Sequence, residues 1–325
     1  APLGPEFQIN STFTNDQTAA SVGVDADGDF VVAWQHEVGA FNYDVLARRF
    51  NSSGTPLGFE FGVSADPGSG DQMGPRVAAD SDGDFVVTWT DRSVGDARIS
   101  AQRFDSSGAP QGEFVVHATA SPQEELLSSV GMDDVGNFVV VWGEANADGS
   151  GFGVMMQRFD AAGNRLEADD VLVNTTTSVD QFDPSVDVSG SGEFVVSWTS
   201  LDQDGDAKGV IVQQFNADGS RDGSERVANT YTTSDQHISE VVMIDSNDFL
   251  VVWEGQGSAD AAGVFGQRFR TPTGGAAIWH QDGQIASISS DWDGNSFGGA
   301  SKTVELDEWR IMQGAEAPTR DEKIV

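Results

Sequence analysis

The chain contains no cysteine, which excludes both a disulfide framework and a thiol-based site. It is short of basic residues: 17 lysines and arginines face 52 aspartates and glutamates, for a formal charge of −35. Such a deficit excludes the basic footprint that nucleic acid requires and disfavours anionic membrane surfaces. It suits divalent cations, cationic partners or a protein kept soluble in salty surroundings. No apolar run approaches the roughly 20 residues needed to span a bilayer. Runs of helix formers are scarce, whereas 38 glycines and connectors rich in Asn, Asp and Ser are present, a composition that points to an all-β protein. A length of 325 residues allows one or two domains with a substantial core. The opening APLGPEF has neither an initiator methionine nor a signal-peptide pattern. It reads as the mature or excised portion of a longer secreted precursor, or as a trimmed chain.

What is there in abundance is repetition. The segments DADGDFVVAW, DSDGDFVVTW, DDVGNFVVVW, SGSGEFVVSW and DSNDFLVVW end at Trp34, Trp89, Trp142, Trp198 and Trp253, spaced by 55, 53, 56 and 55 residues. A second marker follows each copy and closes at Phe50, Phe104, Phe159, Phe215 and Phe269. A third precedes each copy, with Gln17, Gln72, Gln123, Gln181 and Gln236. Three markers holding one period define a repeat. One period reads as four short strands rich in Val, Phe and Trp, bounded by Gly, Asp, Asn and Ser. The second strand is apolar at successive positions, Phe30 to Trp34, so both of its faces need covering. About 55 residues is short for an independent sandwich of about 100. The expectation is therefore a five-bladed β-propeller of four-stranded blades over residues 1–270. Residues 2–10, PLGPEFQIN, match the fourth-strand segment PLGFEFGVS at 56–64, and the fifth unit has only a poor copy of that strand. The N-terminal strand is thus expected to complete the last blade, or to be given to a neighbouring molecule and propagate as a filament. Residues 271–325 break the period and are expected to form a small C-terminal β extension, partial module or linker.

The residues with chemistry each have a scaffold reading. VDADGDFVVAWQ, with Asp25, Asp27 and Asp29, has the letters of a calcium loop and of a hairpin turn. An EF-hand would need glycine and glutamate where Phe30 and His36 stand, so the hairpin is preferred. Asp202, Asp204 and Asp206, after Trp198, are the better calcium candidates, joined by Asp291, Asp293 and Asn295. The pairs Asp16-Gln17, Asp71-Gln72, Asp180-Gln181 and Asp235-Gln236 suit sugar hydroxyls; their bland reading is hydrogen bonding within the loop that enters each blade. The repeated tryptophans read as scaffold, and the QRF arginines as blade-edge caps or partners of the excess carboxylates. Histidines His36, His117, His237 and His280 share no spacing typical of metal ligands or of a general base. No serine or threonine stands in a nucleophile motif.

At the combination EFQIN…DQ…DADGDFVVAW…QRFDSSG, covering about residues 2–270, the chain resembles repeats of large secreted or cell-surface bacterial proteins. Those proteins often also carry hemolysin-type calcium-binding or cadherin-like modules. The resemblance implies an extracellular setting and calcium dependence and supplies no catalytic residues. With blades so alike, the leading expectation is a non-enzymatic adhesion or structural module that self-associates through terminal strands. The alternative is a carbohydrate-binding, lectin-like propeller at a cell-surface or matrix polysaccharide. A polysaccharide hydrolase or lyase comes third, and requires one blade to hold a buried carboxylate pair unmatched in the others.

Overall fold

The computed structural model describes residues 4–39, 42–65, 70–93, 97–117, 125–258, 260 and 262–270, with the backbone of three short strands beyond them. All regular structure in it is β. The first sheet holds β1 (Gln17–Val24), β2 (Phe30–Gly39), β3 (Asn42–Phe50) and β4 (Phe61–Gly62). The second holds β5 (Gln72–Ala79), β6 (Phe85–Asp91), β7 (Arg98–Phe104) and β8 (Pro110–Val115). The third holds β9 (Glu125–Met132), β10 (Phe138–Ala145), β11 (Phe152–Phe159) and β12 (Val171–Leu172). The fourth holds β13 (Gln181–Val188), β14 (Phe194–Leu201), β15 (Lys208–Phe215) and β16 (Arg221–Val227). The fifth has three strands, β17 (Gln236–Asp245), β18 (Asp248–Gly255) and β19 (Gly263–Arg270). Each is an antiparallel meander in chain order. A separate three-stranded sheet joins β20 (Ala277–His280), β21 (Ile285–Ala286) and β22 (Trp309–Met312).

The repeat markers are the packing units. In every sheet the phenylalanine opening the second strand stacks on the one closing the third: Phe30 on Phe50, Phe85 on Phe104, Phe138 on Phe159, Phe194 on Phe215 and Phe249 on Phe269, with centroids 4.7–5.0 Å apart. Trp34, Trp89, Trp142, Trp198 and Trp253 are all buried. Each apolar core is shared by consecutive sheets. Val31 and Val45 of the first pack with Val77 and Trp89 of the second, and corresponding clusters join second to third, third to fourth, and fourth to fifth. Both faces of the second strand are covered for this reason, as its sequence requires. The first strands of successive sheets lie side by side and so line the axis around which the sheets are arranged.

The turn DADGD spans residues 25–29, longer than a two-residue hairpin. Asp25 Oδ1 accepts the backbone N–H groups of Asp27 (3.0 Å) and Asp29 (2.9 Å), and Gly28 takes a φ of +84°. Asp29 Oδ1 accepts the Ser52 N–H at 2.8 Å, tying this turn to the one after β3. The second and third sheets repeat the arrangement through Asp80 and Asp133. The aspartates are turn chemistry, as the hairpin reading requires.

Two features differ from expectation. Glu125, rather than Gln123, stands opposite Glu144, the register place that Gln17, Gln72, Gln181 and Gln236 hold in the other sheets; Gln123 lies outside the described residues. The N-terminal segment forms no ladder with the fifth sheet in this structure. It docks on the first sheet, with Phe7 at 5.8 Å from Phe50 and Arg48 Nη1 donating to the Ile9 carbonyl at 2.7 Å. Among the described residues no shared core joins the fifth sheet to the first.

Candidate functional site at the axial end of the first strands

Each first strand carries a bulge two residues after its opening position, and the residue there has a positive φ: Ala19 (52°), Gly74 (59°), Leu127 (38°), Asp183 (52°) and Ile238 (51°). Four of these five are non-glycine residues held in a costly region of backbone space. In two sheets the bulge N–H is taken up by the preceding sheet, at the residue after its tryptophan. Gly74 N–H donates to Gln35 Oε1 at 3.0 Å and Ile238 N–H to Thr199 Oγ1 at 3.2 Å. In the third sheet that residue is Gly143, which has no side chain to offer, and the bulge beside it carries Asp183.

Asp183 is the one carboxylate in the bulge set. Burial pushes its carboxyl above the ordinary aspartate range, while the nearby charges of Lys208 and His237 draw it down without cancelling the effect. It has no hydrogen-bond partner among the described residues. Lys208, whose charge acts on Asp183, has its Nζ 5.8 Å over the Phe182 ring. The same strand carries a second unmatched carboxylate, Asp187, where the other sheets have Gly23, Ala78, Gly131 and Val242. Burial raises its carboxyl too, but Asp187 Oδ2 accepts the Met243 N–H at 2.7 Å and is spent on the contact with the fifth sheet. Neither acid was singled out from the sequence. Aligning the first strands column by column, QTAASVGV, QMGPRVAA, ELLSSVGM, QFDPSVDV and QHISEVVM, isolates both.

The Asp-Gln segments are arranged mainly as scaffold. Gln17, Gln181 and Gln236 accept through Oε1 from Asn10 (2.9 Å), Asn174 (3.0 Å) and Asn229 (3.2 Å), and Gln72 Nε2 donates to Ser64 Oγ at 2.8 Å. These bonds fasten the start of each first strand to the segment after the preceding fourth strand. Asp180 Oδ1 accepts the Phe152 N–H at 3.0 Å, and Asp16 and Asp235 are exposed. Asp71 differs from them: one of its carboxylate oxygens is buried without a hydrogen-bond partner.

The Asp202–Asp206 loop does not gather its carboxylates. Asp204 Oδ2 accepts from Asn229 Nδ2 at 2.6 Å, Asp206 Oδ2 accepts the Ser234 N–H at 3.0 Å, and Asp202 contributes its backbone, its N–H donating to the Ala207 carbonyl at 2.6 Å. Asp148 makes the matching bond to Asn174 at 2.9 Å in the third sheet, which marks Asp204 as part of the repeat. Among the described residues no group of three or more His, Asp or Glu side chains converges as a metal site does. Asp291, Asp293 and Asn295 lie outside the described residues.

No family model matches the chain, and no curated protein matches it, so the resemblance to secreted repeat proteins gains no support there. Solved structures do match. A polysaccharide lyase described as an ulvan lyase bound to a sulfated uronate–rhamnose disaccharide unit aligns over 77% of this chain and 66% of its own, at 9% identity and a TM-score of 0.50. An endo-arabinase from Bacteroides thetaiotaomicron aligns over 83% and 99%, at 12% identity and a TM-score of 0.48. A thermostable family-43 glycoside hydrolase aligns over 83% and 91%, at 12% identity and a TM-score of 0.47. The shared feature is a β-propeller-type fold. These matches do not bear out the expectation of a non-enzymatic, self-assembling adhesion module: most of the similar structures are described as carbohydrate-active enzymes and one as a protein of unknown function. Likeness among sheets is no ground for excluding catalysis, because one diverged strand is enough to carry it.

Proposed function

We propose that this chain is a polysaccharide-active enzyme whose reaction takes place at the axial end of the first strands, with Asp183 as its proton donor. The observation that carries the reading is Asp183 itself. It is a half-buried carboxyl with a raised affinity for its proton, present in one sheet of five, within reach of the Lys208 charge. A carboxyl whose burial raises its affinity for the proton suits the protonation of the departing oxygen in glycosidic cleavage. Asp71 is the proposed second carboxylate, since its unpartnered buried oxygen is not committed to scaffold. We read the five sheets of residues 17–270 as five blades of one ring around that site.

The charge of −35 selects among substrates. Sulfated or uronate polymers meet repulsion at every approach, so the proposed substrate is a neutral polysaccharide and the reaction hydrolysis. An extracellular setting follows from the substrate class and is part of the proposal. Calcium is proposed only at residues 291–295, and differential scanning with calcium and with chelator tests it. For the activity, the purified chain is incubated with neutral arabinans, xylans and glucans and with sulfated uronate polymers. New reducing ends from a neutral polymer support the reading. Unsaturated products from the uronate polymers alone, or binding without any release, contradict it; the latter leaves the carbohydrate-binding alternative in its place.

A further inference from the structure

Consecutive sheets are joined by contacts that repeat along the chain, and the fifth sheet carries its own half of these contacts without a counterpart in a following sheet. Three arginines preceding the closing phenylalanines reach the turn after the third strand of the next sheet. Arg49 Nη1 donates to the Ser107 carbonyl at 2.6 Å, Arg103 Nη1 to Ala162 at 2.7 Å and Arg158 Nη1 to Ala217 at 2.7 Å. The turn glycine is required there: a Cβ on Gly219 would lie 2.5 Å from Arg158 Cζ. Arg268 occupies this place in the fifth sheet, more than half exposed and paired with Asp248 of its own sheet. Ser21, Ser129 and Ser185 accept through Oγ the N–H groups of Val77 (3.2 Å), Val186 (3.1 Å) and Val241 (3.2 Å) in the next sheet; Glu240 holds that position in the fifth. Val77, Val130, Val186 and Val241 are at most 8% exposed, whereas Val22, their equivalent in the first sheet, is 63% exposed. Val264 of β19 is 77% exposed against 1% or less for Val45, Ile99, Val154 and Val210.

The missing element is already in place on the first sheet. Phe7 meets Phe50 as Phe61 meets Phe104 (5.4 Å) and Phe114 meets Phe159 (5.2 Å). Arg48 binds the Ile9 carbonyl as Arg165 binds Val116 and Arg221 binds Val173. Glu60 accepts from Ser11 N–H and Thr12 as Glu225 accepts from Thr175 N–H and Thr176.

We infer that residues 6–10 close the ring within one molecule by pairing antiparallel with β19 in a defined register. The fourth-strand bonds Val63 N–H to Val45, Val116 to Ile99, Val173 to Val154 and Ala228 to Val210 (2.7–2.9 Å) place Ile9 N–H on the Val264 carbonyl. The bonds from Val154 N–H to Asn174 Oδ1 (2.9 Å) and from Val210 N–H to Asn229 Oδ1 (2.8 Å) place Val264 N–H on Asn10 Oδ1. Gln8 then stands opposite Phe265, as Gly62 does opposite Leu46 and Val115 opposite Ser100. Arg268 reaches the carbonyls of Ser52 and Ser53, Glu240 accepts the Val22 N–H, and Val22, Val24 and Val264 leave water. Closure within one molecule is favoured because both halves of the seam are tethered in one chain at high effective concentration, and because a charge of −35 opposes association of copies. The inference stands on the scaffold and is independent of the sugar reading.

The absence of native cysteine makes the test clean. Gln8→Cys with Phe265→Cys places two thiols at a non-hydrogen-bonded pair, the closer of the two pair types and suited to a disulfide. The expected result under mild oxidation is loss of both free thiols at monomer mass. Thiols that stay free in a folded protein, or disulfide-linked dimers and ladders, overturn it. Hydrogen exchange of the unmodified chain reads the same seam without a mutation. The Val264 amide should exchange at least about 100-fold more slowly than an open amide, and free exchange contradicts closure.

Discussion

Asp183 and Asp248 carry the same functional group under opposite conditions. Asp183 is raised by burial, so its ionised form is less comfortable in the folded chain than in the unfolded one. Its cost to stability is absent below the unfolded value of 3.8 and present in full above the raised folded value. Asp183→Asn should therefore raise the thermal midpoint at pH 7 and leave it unchanged at pH 3. Asp248 is held down to about 2, first by the Arg268 hydrogen bond and then by Arg270, against the burial that opposes them. Its contribution is present above 3.8 and is lost as pH falls through about 2. Urea melts between pH 4.5 and 2 should show that acid limb in the native chain and a weaker one in Asp248→Asn. Equal slopes for the two proteins would contradict the assignment.

At the scale of the strand, one unit is solved once and reused. A phenylalanine pair, a doubly covered tryptophan strand and an aspartate-led turn recur with little variation, so Trp198→Ala should cost about 3–5 kcal/mol by chemical denaturation. A cost below 1 kcal/mol would mean that the strand is not packed on both faces. Periodic features were legible in the sequence because they obey one spacing: the tryptophans, the closing phenylalanines and four of the five glutamines are where the markers put them. Glu125 and not Gln123 holds the third position because it keeps the spacing of 17 residues to the tryptophan that the other four hold. The bulge was not legible, since an inserted residue shifts register without leaving a compositional trace. Asp183 and Asp187 were hidden for a related reason. A repeat draws attention to what its copies share, and these two residues matter because their copies lack them. Of the carboxylates that did attract notice, Asp180, Asp204 and Asp206 are engaged by backbone N–H groups and an asparagine.

At the scale of the molecule, the chain reads as a repeated scaffold with one altered strand. The sheets pack as consecutive wedges, the fifth ends in an open β19 edge, and the segment fitted to that edge sits docked on the first sheet. Closure would complete the axial site on all sides, which links the seam to function without either depending on the other for its test. Under the proposed function, the acidic surface disfavours anionic polymers and tolerates neutral ones. The account's central claim is that Asp183 carries the chemistry, and the most direct measurement compares initial rates of reducing-end release from the neutral polymer that the native chain cleaves. Asp183→Asn should lose at least about 100-fold, as expected for removal of a general acid, while Asp187→Asn, altered on the same strand at a scaffold contact, keeps activity within a few-fold. Equal rates for Asp183→Asn and the native chain would contradict the account.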